Sequence, residues 1–123
     1  MIMFEGALSD ALNLAMAQVD YHCFADNRLG WVDPFYKELC LVIAEVFVLN
    51  PVTSVKINDS LLPARLVQDV FSHIRNEHVC LVYNNFHGLT HRVHNKKAYL
   101  RVALYNSVFE LEAGAVNTLQ AAD

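Results

Sequence analysis

Cys80, His87, His91 and His94 are the residues whose types alone could do chemistry, since a thiolate and imidazoles form a ligand set that zinc accepts. Their pattern, H-x3-H-x2-H with the cysteine upstream, matches no familiar ligand spacing and straddles Gly88. Arg92, Lys96 and Lys97 crowd the same stretch with positive charge, which opposes a bound cation. The expectation is solvated or helix-capping histidines and no metal, with zinc as the alternative. Cys23 beside His22, or Cys80 near His78, could suggest a thiol activated by an imidazole. Neighbouring residues on a helix point about 100° apart, so neither pair is placed for a hydrogen bond within its own helix. A buried thiol beside a surface histidine is the expected arrangement. No pair of carboxylates at a useful spacing, no Gly-rich phosphate loop and no G-x-S-x-G sequence is present. The residues therefore point to a protein that is not an enzyme and needs no cofactor.

The other chemistry on offer is charge. The formal net charge is −4, but its distribution is uneven. The first half of the chain is acidic, whereas Arg65, Arg75, Arg92, Lys96, Lys97 and Arg101 face only Asp69 and Glu77 between Leu62 and Glu110. The end of the chain then adds Glu110, Glu112 and Asp123 without a base. Lys97 and Arg101 lie four apart and so share a helix face, and Arg92 and Lys96 flank the start of that helix. Phosphates of a nucleic acid, an acidic protein partner or plain solvation could each account for such a cluster. Tyr99 and Tyr105 are expected in the core and not as stacking platforms for bases.

These cations are positioned by a helix beginning after Asn95, whose side chain can accept from an otherwise unpaired backbone N–H one turn later. At 100° per residue, Tyr99, Leu100, Val102, Ala103, Leu104, Tyr105, Val108 and Phe109 cover most of its circumference. The expectation is a central helix ending near Glu110, with Lys97 and Arg101 as its wet edge. Residues 111–123 are expected to form a tail or a short further helix.

Upstream, Leu8, Leu12, Met16, Val19 and Cys23 recur at helical spacing behind Ser9, predicting a first helix over residues 9–25. Asp33-Pro34 starts a second, which runs to Leu49 ahead of Asn50-Pro51. Over residues 54–62 the period changes to alternation around Val55 and Ile57, followed by Asn58-Asp59, predicting a short strand or hairpin. Pro63 opens a third helix with Leu66, Val67, Val70, Phe71 and Ile74 on its apolar face. Asn76 is expected to cap a fourth that ends near His87-Gly88.

A hydrophobic fraction of 54% over 123 residues suits one domain able to bury its own core. The fold class expected is mainly α: a compact bundle of about five or six helices with the hairpin, in which residues 33–110 are the core. The three cysteines are odd in number and set among apolar neighbours, as buried thiols of a reducing compartment are. The N-terminal stretch lacks the basic start of a secretory signal, and the apolar run from Leu39 to Leu49 is broken by Glu45 and too short to span a bilayer. A cytoplasmic location away from membranes is expected.

Three segments carry a resemblance to a known family: V-K-I-N-D-S-L-L-P-A-R-L-V-Q-D-V-F from Val55, N-E-H-V-C-L-V-Y from Asn76 and N-K-K-A-Y-L-R-V-A-L-Y-N from Asn95. Over Val19 to Asn106 the chain resembles the C-terminal domain, formally of unknown function, of replication initiator A proteins from Firmicute plasmids and integrative elements. That family shows the same order of a Tyr-bearing helix, a long apolar helix, an I-R-I-N-G-like strand, a proline-initiated helix, an H-I-E-Y-V-like helix and N-I-K-A-Y-L-L-T-A-L-Y-N. The chain is similar, more loosely, to the C-terminal helical domain of the primosome protein DnaD. Residues 1–18 and 110–123 lie outside the likeness, as does the winged-helix half that would recognise an origin. The resemblance implies an accessory domain that contacts DNA or a replication protein through the basic C-terminal half. A structural self-association module, forming a homo-oligomer with the basic strip solvated, is the alternative.

Overall fold

The computed structural model describes residues 2–21, 34–90 and 92–122, with side chains described between 6 and 112 of these. The described elements are α1 (Ile2–Gln18), α2 (Pro34–Phe47), β1 (Ser54–Ile57), β2 (Ser60–Pro63), α3 (Ala64–Phe71), α4 (Asn76–His87) and α5 (Lys96–Ala122). The fold is mainly helical with one two-stranded antiparallel sheet, as the sequence led us to expect.

α1 begins seven residues earlier than the expected Ser9 cap. Ser9 is an exposed mid-helix residue, and Gly6 costs too little helix propensity to stop its neighbours Met3, Phe4, Glu5, Ala7 and Leu8. The helix ends where Asp20 takes a left-handed conformation, φ 57, as carboxylate and amide residues do at helix ends. The expected continuation through residues 22–25, with His22 and Cys23, lies outside the described residues, as does the Asp33 cap.

α2 is the middle of the bundle. It buries Phe35, Tyr36, Leu39, Cys40, Val42, Ile43, Ala44 and Val46, which together occupy most of its circumference, and it packs on α1, α3, α4 and α5. This corrects the expectation that the Asn95 helix is central. In α5 only Leu100, Leu104, Ser107 and Val108 are buried among the described side chains, while Tyr99, Val102, Ala103 and Tyr105 are half-exposed. α5 is a surface helix with one inward stripe. Asn95 does cap it, its Oδ1 accepting from the Ala98 N–H at 3.1 Å. The helix also does not stop at Glu110 but continues to Ala122 as one rod, because a single glycine at 114 lowers helix propensity by only about 1 kcal/mol.

The hairpin pairs Val55 with Leu62 and Ile57 with Ser60, burying Val55 and Ile57 beneath it. Asn58 and Asp59 both have positive φ, 52 and 68, as a two-residue type I′ turn requires. Asn58 then reaches across to α5, and its amide exchanges hydrogen bonds of 2.8 and 3.3 Å with that of Asn106. Behind the hairpin, the first N–H groups of α3 are satisfied by backbone carbonyls, Ala64 by Thr53 and Arg65 by Pro51. On α3 the apolar face holds Ala64, Val67, Val70 and Phe71, but Leu66 is 44% exposed instead of buried.

Three amide side chains hold the ends of helices other than their own. Gln68 Nε2 donates to the carbonyls of Val46, Phe47 and Leu49 at the end of α2. Gln18 Nε2 donates to Phe71 and Ile74 at the end of α3, both at 2.8 Å. Asn76 Nδ2 donates to Val19 beyond α1 and to the Tyr36 hydroxyl, which in turn donates to Val19. Each satisfies carbonyls that a helix end leaves without an internal partner. Asn76 was expected to cap α4, but it is the first helical residue and Arg75 stands at the cap position.

Candidate functional site

The basic residues are presented by the start of α5, the loop before it, the first turn of α3 and the cap position of α4. Lys96 forms an ion pair with Glu38 at 3.0 Å and lies over the rings of Phe35 and Phe86, at 4.7 and 5.3 Å from their centroids. Lys97 pairs with Glu45, also at 3.0 Å. Glu38 and Glu45 are two turns apart on one face of α2, so the only acidic edge of that helix meets the basic edge of α5. In the sequence Glu45 stood out only as a break in an apolar run and Glu38 not at all; their seven-residue spacing, which puts both on one face of the helix, is the signal that could have paired them. Both pairs are partly solvated and contribute roughly 0–1 kcal/mol each to stability. Their larger effect is on the field, since among the described residues Lys96 and Lys97 are compensated by carboxylates of α2.

Arg75 is also engaged. Its guanidinium donates to the carbonyls of Ser72 and Ile74 at 2.8 and 2.9 Å, beside the end of α3 where the helix dipole favours a cation. Arg65 is exposed in the first turn of α3. Neither of these arginines shares an ion pair, hydrogen bond or cavity with the α5 cations among the described residues. Two smaller groupings do form. Arg92 and Lys96 border a hollow with Phe86, Leu89 and Val93. Lys97 and Arg101 border a groove of about 490 Å³ whose apolar walls include Leu8, Leu41, Val46, Val48 and Leu49.

His87 packs its ring against Tyr83 and Phe35, with centroids at 4.4 and 5.5 Å. His94 is exposed, and His91 lies outside the described residues. Among the described residues no group of three or more His, Cys, Asp or Glu side chains is placed to hold a metal. Cys80 donates its thiol to the Asn76 side-chain oxygen, and burial raises its pKa, as burial pushes the Cys40 thiol up to about 12. Neither thiol is activated as a nucleophile.

His78 corrects the expectation of a surface imidazole. It is buried, and its Nδ1 accepts the Arg75 backbone N–H at 2.8 Å, which closes the first turn of α4. Burial lowers its pKa, outweighing the upward pull of Glu77, of the Arg75 backbone hydrogen bond and of Glu112, while the Arg75 charge adds a smaller lowering. A histidine held neutral by folding takes up a proton more readily when unfolded, so its contribution is present above the ordinary histidine range and is lost as pH falls below it. Denaturant midpoints of the wild type should therefore drop between about pH 7.5 and about pH 5.5, and those of His78→Gln should drop less. Equal pH slopes for the two proteins would show that the imidazole is not held neutral.

Comparison of the chain with family models, with curated proteins and with solved structures gave no match.

Proposed function

We propose that this chain is a non-enzymatic accessory module of a mobile-element replication initiator, and that its basic C-terminal half binds a replication protein in preference to DNA. The replication setting is supported by the resemblance of the three segments beginning at Val55, Asn76 and Asn95. The observation that favours a protein partner is the pairing of Lys96 with Glu38 and of Lys97 with Glu45. A phosphate backbone would compete with both carboxylates for those contacts, which leaves Arg92 and Arg101 as the cations of the α5 cluster without an ion pair among the described residues. A protein surface can instead use the apolar groove that Lys97 and Arg101 border.

Fluorescence anisotropy with single- and double-stranded DNA over a salt series tests this reading. Binding driven by phosphate contacts loses affinity with salt at a log–log slope of about 0.9 per contact on duplex DNA. The expected result is weak association or none at low salt, with a slope of no more than about two, from Arg92 and Arg101. Tight binding with a slope near four, reduced by about two in the Lys97→Ala/Arg101→Ala double mutant, would restore the DNA reading. Calorimetric titration with purified primosome proteins is the positive arm, and saturable heat that disappears in the same double mutant is the result expected.

A further inference from the structure

One face of α5 carries a short pattern that is complementary to itself. Arg101, Tyr105, Phe109 and Glu112 stand at i, i+4, i+8 and i+11, within about 80° of one another around the helix. Phe109 is 48% exposed, and its ring lies against that of Tyr105 with centroids at 5.3 Å. Arg101 is half-buried and Glu112 exposed, and neither makes an ion pair among the described residues. The face thus reads cation, aromatic, aromatic, anion along the helix. The one other charged residue between its ends, Glu110, points away toward a hollow lined by Leu81 and Tyr99.

We propose that this face is the contact surface for a second copy of the chain, the two α5 helices meeting antiparallel across a two-fold axis near Ser107. That operation brings Arg101 of each copy opposite Glu112 of the other and lays each Tyr105–Phe109 pair on its equivalent. It is the isologous arrangement that closed dimers use. A parallel pairing would instead set cation against cation and anion against anion. The charge order along the helix therefore selects both the occupant and its direction.

Charge swaps test the proposal in trans. Sedimentation velocity of the full chain at about 100 µM and low salt should show a dimer. Arg101→Glu and Glu112→Lys should each sediment as a monomer, because each creates two like-charge contacts in its own homodimer. An equimolar mixture of the two variants should recover a dimer, since every contact across the mixed pair is again between opposite charges. Circular dichroism of each variant separates lost association from lost folding, and exposed positions such as Glu112 are expected to keep the wild-type spectrum. A monomeric wild type, an undiminished dimer in either variant, or folded variants whose mixture stays monomeric would each overturn the proposal.

Discussion

Phe71→Ala is expected to destabilise the protein by about 3–5 kcal/mol, the range for deleting a buried aromatic ring from a close-packed interior. Phe71 is 0% exposed and is the last residue of α3, so the mutation opens a cavity at the point where α3 and the end of α1 are joined through Gln18. Since small domains are stable by only about 5–15 kcal/mol, urea titration should show a large fall in midpoint with the slope retained. Tyr99→Ala provides the internal comparison. Tyr99 sits half-exposed against the edge of Phe86 and should cost clearly less. A Phe71→Ala loss below about 1 kcal/mol would show that the ring does not fill a packed interior.

The second large effect is expected at Gln68. Its amide donates to Val46 at 3.0 Å and to Leu49 at 2.9 Å, with the Phe47 carbonyl close by at 3.4 Å. Gln68→Ala removes donors from part-buried carbonyls and should cost about 1–3 kcal/mol. Gln68→Glu should cost more at neutral pH, although it changes the side chain's shape very little. A carboxylate would face three carbonyl oxygens at the negative end of the α2 dipole. Folding would then raise that carboxyl's pKa above its unfolded value, so the penalty should be relieved as pH falls toward the ordinary glutamate range. Melting curves in which Gln68→Glu matches the wild type at neutral pH would mean the amide is not held by those carbonyls.

The elements that could be read from the sequence were those announced by local chemistry. Pro34, Asn95 and the Asn58-Asp59 turn sit where their backbone preferences place them, and Val55 and Ile57 alternate because one face of the hairpin is buried. Which helix is central was not legible. Apolar residues surround both α2 and α5, and periodicity counts side chains without knowing how many neighbours will cover them. The basic cluster was visible as residue types, but its compensation was not, since Glu38 precedes Lys96 by 58 residues and Glu45 precedes Lys97 by 52. His78 looked like a surface group because a helix end that needs a partner leaves no mark on the side chain that supplies it. Gln18 and Gln68 were passed over for the same reason.

Gln18, Gln68 and Asn76 also determine how the molecule comes apart. Each amide belongs to one element and closes the end of another, with Gln18 and Phe71 separated by 53 residues, Gln68 and Leu49 by 19, and Asn76 and Val19 by 57. No such cap can form while the chain is extended, so the ends of α2 and α3 gain protection only after the bundle has assembled. Fraying of α1 withdraws Gln18 from α3, and loss of α3 withdraws Gln68 from α2. These three helices consequently open to solvent exchange as one cooperative unit.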